Sequence, residues 1–247
     1  MTRVALIPAR YAATRFPGKL MQLLEGKTVI LRTYEAVKNT GLFNKVAVVC
    51  DSSIIYDEIE GNGGLAIMSR KEHDCGTDRI AEALSEMTDA EIIVNVQGDE
   101  PFTQRAPLEQ LLNVFEQDKE KKVRVASMMQ AITDKALIYD PNCVKVVTNS
   151  FSDAMLFSRS VIPYPRDNKA AVTYYKHIGI YAFRRSALEQ FASLPPGMLE
   201  TAEKQEGMRF LENGINIRMV ATDYINVGID TPGDLQKAQE ILTKNTI

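Results

Sequence analysis

Arg10, Arg15 and Lys19 lie on one short stretch just after the first apolar run, Val4-Ala-Leu-Ile-Pro8. That run reads as a buried strand that breaks at Pro8 into a loop. Three cations on such a loop suit a polyanion such as a triphosphate, with arginine forks making bidentate contacts to phosphate oxygens. Neither Gly-x-x-x-x-Gly-Lys-Ser/Thr nor Gly-x-Gly-x-x-Gly occurs, so binding would rest on side-chain charge rather than on a glycine cradle. Two more polar clusters close apolar strands: Gln97-Gly-Asp-Glu-Pro101, around Asp99, and Val227-Gly-Ile-Asp-Thr-Pro232, around Asp230. A strand-end carboxylate is well placed to hold a divalent cation shared with substrate phosphates. Each cluster also has an ordinary reading: surface charge for the loop, a turn for Asp99, a helix N-cap for Asp230. Taken jointly they are the equipment for Mg²⁺-assisted nucleotidyl transfer, where the metal neutralises phosphate charge and the protein supplies positioning.

Elements that would position these groups are legible in the hydrophobic pattern. The first half alternates strand and helix, the signature of a parallel sheet with right-handed crossovers. A helix over 28–40 is introduced by Gly26-Lys27-Thr28 and stopped at Gly41. Strands are expected at 45–50, 65–68 and 91–96, with a helix at 53–61 and another after Thr77, a plausible N-cap. Pro107 is expected to open a helix with Leu108, Leu111, Leu112 and Phe115 on its inner face. Strand-like segments near 123–130, 143–149, 154–158 and 177–184 suggest an antiparallel or mixed section. A helix over 198–213, a strand at 215–220 and a closing helix with Pro232 in its first turn complete the chain. We read one continuous domain, 1–247, with a lobe over roughly 125–200.

Bulk composition excludes several classes. The 247 residues are 45% hydrophobic and 25% charged with a net charge of −3, enough to bury a sizeable core. The slight acidity argues against a nucleic-acid surface, and Lys119–Lys122 reads as a solvated helix end. Cys50, Cys75 and Cys143 are an odd number at wide spacing, suggesting neither a disulfide framework nor a zinc knuckle. The N-terminus runs straight into a strand and no apolar run approaches a membrane span, so a reduced cytoplasmic compartment is expected.

Nearly the whole chain resembles the 3-deoxy-manno-octulosonate (Kdo) cytidylyltransferase family. The matching stretches are Ile7-Pro-Ala-Arg-Tyr11, Thr14-Arg-Phe-Pro-Gly-Lys19, Gly76-Thr-Asp-Arg79, Val94-Asn-Val-Gln-Gly-Asp-Glu-Pro101, Val144-Lys-Val-Val147, Phe157-Ser-Arg159 with Ile162-Pro163, His177-Ile-Gly-Ile-Tyr181 and Gly228-Ile-Asp-Thr-Pro232. The resemblance implies a nucleotide-diphospho-sugar transferase fold: a Rossmann-like α/β domain with a mixed, mostly parallel sheet and a smaller sugar-binding and dimerisation lobe. It implies the reaction of CTP with Kdo to give CMP-Kdo and pyrophosphate, for lipopolysaccharide or capsule synthesis, in a homodimer. Arg10, Arg15 and Lys19 would hold the triphosphate, Lys19 meeting the charge that develops on transfer. Asp74, Cys75, Gly76 and Arg79, with Pro8 and Ala9, would frame cytosine and ribose. Asp99 and Asp230 would ligate Mg²⁺, two ions with CTP, and Gln97 would lie at the nucleotide–sugar boundary.

For the sugar, the resemblance implies Arg159 on the carboxylate, His177 and Tyr181 on hydroxyls, and the helix around Glu206. By its surroundings alone His177, on an apolar strand, reads as a core histidine, and His73 reads as a loop residue. Two departures stand out: Cys75 replaces a serine, and Gly207 replaces a glutamine expected to touch the sugar. A glycine inside a helix would also cost about 1 kcal/mol. A cytidylyltransferase for another 2-keto-3-deoxy sugar acid, such as an amino-Kdo, a nononate or a sialic acid, therefore remains an alternative. A non-catalytic nucleotide-binding protein is the other.

Overall fold

The computed structural model describes residues 1–12, 16–167, 171–223 and 227–245, so Arg15 lies outside the described residues. In chain order the early elements are β1 (Arg3–Ala9), a ribbon of β2 (Leu23–Leu24) and β3 (Lys27–Thr28), α1 (Val29–Asn39), β4 (Lys45–Cys50), α2 (Ser53–Gly61), β5 (Ala66–Met68), α3 (Gly76–Glu82) and β6 (Ile92–Asn95). Then come α4 (Arg105–Gln117), β7 (Val125–Ala131), α5 (Lys135–Tyr139), β8 (Lys145–Thr148), β9 (Ala154–Ser158), β10 (Tyr175–Arg184) and α6 (Arg185–Ser193). The last are α7 (Met198–Glu203), α8 (Gly207–Glu212), β11 (Ile217–Ala221) and α9 (Pro232–Asn245). Residue contacts separate two units, 1–106 with 225–247, and 107–224; the second extends beyond the expected 125–200 lobe at both ends.

The first unit is a parallel sheet. β1 pairs with β4 on one side and β6 on the other, and β4 pairs with β5. Val4, Ala5, Leu6 and Ile7 are wholly buried, as expected for a strand in a parallel sheet that reads as a continuous apolar run. Thr28 caps α1 by accepting the Leu31 N–H, and Gly41 follows with a φ of +67°, so both ends of this helix carry the signals read in the sequence. The cap of α3 differs from expectation: it is Cys75, whose Sγ accepts the Asp78 N–H. Thr77 is inside the helix and buried, accepting a hydrogen bond from Asn95 Nδ2.

The second unit is mixed. β7 is antiparallel to β10 and parallel to β11, while β8 is antiparallel to both β10 and β9. Helix α4 begins at Arg105, not at Pro107, which sits in its first turn; Leu108, Leu111, Leu112 and Phe115 are its buried face.

The single helix expected over 198–213 is two. α7 ends at Lys204, in the left-handed region at φ +50°, and α8 starts at Gly207. Gly207 therefore opens a helix and carries no interior helix penalty. The corner is stapled by Arg209, which gives Nε and Nη2 to the two carboxylate oxygens of Glu200, both at 2.7 Å. Its guanidinium also lies 4.0 Å from the Phe191 ring centroid. Both partners are buried, so removing one leaves an uncompensated charge. Urea denaturation of Glu200→Ala is expected to show a loss of about 3 kcal/mol, most of it recovered in the double variant Glu200→Leu/Arg209→Met.

Candidate active site

Three segments far apart in sequence meet at one ammonium. Lys19 Nζ lies 2.5 Å from Asp99 Oδ2 and 2.8 Å from Asp230 Oδ1. Gly18, at φ +64°, precedes the short turn Lys19–Met21 that carries the lysine. Asp99 follows β6 and Asp230 precedes α9, and their segments are joined by the Ile229 N–H donating to the Asp99 carbonyl at 3.0 Å. The helix-capping duty open to Asp230 falls to its neighbour. Thr231 Oγ1 accepts the Asp234 N–H at 3.2 Å and Asp234 Oδ2 accepts the Thr231 N–H at 3.0 Å, a reciprocal capping box. The Asp230 carboxylate is thereby left to face Lys19. Burial would lower the Lys19 pKa, but the charges of Asp99 and Asp230 outweigh it and hold the ammonium above its ordinary value.

A cavity of about 230 Å³ opens at these groups, lined by Pro8, Ala9, Arg10, Lys19, Asp74, Cys75, Gly76, Arg79, Gln97, Asp99 and Asp230. These are all the described residues that the sequence associates with nucleotide and metal. Phe16, Leu20, His73 and Gly98 also line it. At Gly76 the walls touch: a Cβ there would lie 3.0 Å from the Pro8 ring and 3.5 Å from Gln97 Oε1.

The wall is held by ion pairs that sequence reasoning missed. Arg79, expected to frame the nucleoside, is buried and gives Nη2 to Asp51 Oδ2 at 3.0 Å and Nη1 to Ser69 Oγ at 2.9 Å. Asp51 Oδ1 accepts the Tyr11 N–H at 2.9 Å, pinning the chain beside Arg10 to the same guanidinium. The only hint of Asp51 in the sequence was its place at the end of a strand. His73 Nε2 donates to Glu82 Oε2 at 2.5 Å, and Glu82 Oε1 takes the Arg70 N–H at 2.8 Å. Burial opposes the Glu82 charge, yet those hydrogen bonds bring its pKa below the usual carboxylate value. Nothing in the local pattern near His73 signals this contact.

Could this site accept Mg²⁺? Among the described residues no group of three or more His, Cys, Asp or Glu side chains is placed to cage a metal. Asp99 and Asp230 do converge, both within 2.8 Å of one atom. Two hard oxygen donors at an open cavity fit an ion that takes its remaining ligands from water and phosphate.

The residues associated with the sugar lie in the second unit. His177 and Tyr181 come together on β10, ring centroids 5.2 Å apart. Arg159 is committed to the backbone, with Nε on the Glu203 carbonyl at 2.7 Å and Nη1 on the Pro141 carbonyl at 2.8 Å. Glu206 stands at the start of α8 between buried Gln205 and Gly207. Both nitrogens of His177 are engaged, by Ser127 Oγ and by the Gln205 amide.

Strand-end carboxylates and a lysine around a phosphate-sized cavity, on a parallel α/β sheet, define a nucleotidyltransferase. The cytidylyltransferase family model matches residues 4–217. A 3-deoxy-manno-octulosonate cytidylyltransferase of Flavobacterium johnsoniae is 58% identical, covering 98% of this chain and 99% of that protein. One of Christiangramia forsetii is 57% identical over 97% of this chain and 96% of its own length. The chain belongs to the 3-deoxy-manno-octulosonate cytidylyltransferase family. A solved CMP:2-keto-3-deoxy-manno-octonic acid synthetase complexed with CTP matches with a TM-score of 0.91 and 38% identity, over 99% of this chain and all of that one. A 4-diphosphocytidyl-2C-methyl-D-erythritol synthase from Anaerococcus prevotii, at 16% identity and a TM-score of 0.63, shares the fold.

Burial takes the His177 pKa from 6.5 down to about 3. Between those values the unfolded chain binds a proton that the folded chain does not, so this contribution to stability is complete above pH 6.5 and falls as pH drops. The slope approaches about 1.4 kcal/mol per pH unit below pH 6. Urea midpoints taken from pH 7 to pH 4 should therefore fall more steeply for the wild type than for His177→Asn.

Proposed function

We propose that this chain transfers CMP from CTP to the anomeric 2-hydroxyl of Kdo, releasing pyrophosphate, in an Mg²⁺-dependent reaction. The observation that carries this reading is the meeting of Lys19, Asp99 and Asp230 in the cavity. The names of the closely similar relatives point to the same substrates.

Arg10 and Lys19 supply the positive charge that the triphosphate meets, with Arg15 on the same stretch of sequence. Pro8, Ala9, Asp74, Cys75 and Gly76 frame cytosine and ribose, where backbone groups can read a base edge. Arg79 keeps that frame rigid through Asp51 and Ser69. Before substrates arrive, Lys19 pairs with both aspartates. A triphosphate offers its ammonium a denser anion, and as Lys19 turns to it the two carboxylates are released to face a divalent ion. Asp99 and Asp230 would hold Mg²⁺, two ions with CTP, which when bound offsets phosphate charge and lowers the pKa of the attacking hydroxyl. In-line displacement at the α-phosphate then depends on alignment and on the charge of Lys19. Tyr181, His177 and Glu206 form the sugar-acid group, while Arg159 gives Nε and Nη1 to the Glu203 and Pro141 carbonyls.

The same reading takes the chain to be cytoplasmic, forming CMP-Kdo for lipopolysaccharide or capsule. It is consistent with this that, among the described residues, no helix is long and apolar enough to cross a membrane. A homodimer through roughly 150–185 accounts for the exposure of Phe151, Met155 and Tyr164, and light scattering on the purified chain would test it.

Pyrophosphate release with CTP, Mg²⁺ and a panel of sugar acids tests the substrate; a ten-fold preference for any acid over Kdo would displace it. Asp99→Asn and Asp230→Asn should each lower kcat by about 10³-fold or more with the circular dichroism spectrum unchanged. Near-full activity of either at saturating Mg²⁺ would refute the metal assignment. Asp51→Ala should raise KM for CTP about ten-fold while KM for the sugar stays within two-fold, because it frees both Tyr11 and Arg79; steady-state kinetics with each substrate varied will show the split.

A further inference from the structure

The break between α7 and α8 turns Gln205 into the protein, where it is 6% exposed. One bond fixes which way its amide faces. The Gly207 N–H donates to Oε1 at 2.6 Å, and because a backbone N–H can only donate, the oxygen must face it. Nε2 then points to His177 Nδ1 at 3.0 Å. A ring nitrogen that accepts carries no proton, so neutral His177 holds its hydrogen on Nε2 and donates it to Ser127 Oγ at 2.9 Å. Ser127 passes its own hydrogen to the Ile180 carbonyl at 2.9 Å. From Gly207 to Ser127 the bonds run in one direction, and the Ser127 hydroxyl also lies 3.3 Å from the Ile178 carbonyl.

The Tyr181 hydroxyl lies 3.2 Å from this same amide. Gly207 is what allows it to be there. A Cβ at 207 would stand 2.6 Å from Tyr181 Oη, 3.2 Å from Gln205 Oε1 and 3.3 Å from the Phe157 ring. The missing side chain and the inward amide are two parts of one arrangement.

We propose that Gln205 is a positioning residue for sugar-acid recognition: held by His177 and by the Gly207 N–H, it aims the Tyr181 hydroxyl, and Gly207 keeps the space that hydroxyl needs. The inference rests on the reading of Tyr181 as a sugar contact given above. His177, both nitrogens bonded within the protein, holds the Gln205 amide in place. The class of ligand served is a polyhydroxylated acid whose hydroxyl meets an oriented phenol rather than a free rotor.

The test uses the full-length chain with CTP, Mg²⁺ and Kdo, and reads the two KM values separately. Tyr181→Phe tests the underlying site and should raise KM for the sugar with KM for CTP unchanged. Gln205→Leu, similar in volume but without the amide, and Gly207→Ala should each raise KM for the sugar about ten-fold, again sparing CTP. In ¹⁵N spectra of His177, the wild type should show a protonated Nε2 and an accepting Nδ1, and Gln205→Leu should lose that fixed pattern. If Tyr181→Phe raises the sugar KM and Gln205→Leu leaves it unchanged or lowers it, the positioning role is wrong and the site reading stands. If Tyr181→Phe changes nothing, the site reading fails and this inference with it. A loss shared equally by both KM values, with a lowered Tm, would mark Gln205 as a packing residue only and overturn the proposal.

Discussion

One ammonium between two carboxylates organises the nucleotide end of this molecule. Lys19, Asp99 and Asp230 come from the loop after β1, the end of β6 and the approach to α9. Unpaired, two aspartates this close would repel; with Lys19 between them each has an opposite charge within hydrogen-bond reach. The surrounding backbone prevents competing uses of the carboxylates. Thr231 takes over the helix cap, and the Ile229–Asp99 backbone bond fixes the spacing of the two segments.

The same logic recurs away from that centre. Several charged groups with little exposure are held by more than one bond. Arg79 is held by Asp51 and Ser69, and Arg209 by both carboxylate oxygens of Glu200. Lys145 is fully buried and bonds to backbone carbonyls. Its three hydrogens go to the carbonyls of Asp140, Cys143 and Arg159 at 3.0, 2.7 and 2.5 Å. Burial lowers its pKa, and the carbonyls ease the cost of keeping the charge there.

Much of the framework was legible beforehand. Strands at 45–50 and 154–158 and helices at 53–61 and after Gly26-Lys27-Thr28 lie where periodicity and capping residues put them, because hydrophobic spacing and end signals are local properties. The errors also have local causes. Thr77 is as good a cap as Cys75 on composition, and only the backbone geometry at residue 75 decides between them. Residues 198–213 keep helical spacing throughout, so the left-handed Lys204 leaves no trace in the pattern.

What the amino-acid order determined by itself was the alternation of elements, the cationic loop and the two strand-end aspartates, since each needs only near neighbours to be recognised. Tertiary structure alone decided that Lys19 would bind both aspartates, that Arg79 would serve the wall through Asp51, that Arg159 would spend its donors on carbonyls and that Gly207 would make room for Tyr181. Those outcomes depend on Coulomb attraction, desolvation and steric contact between atoms that are distant in the chain, and such distances exist only once the chain has folded.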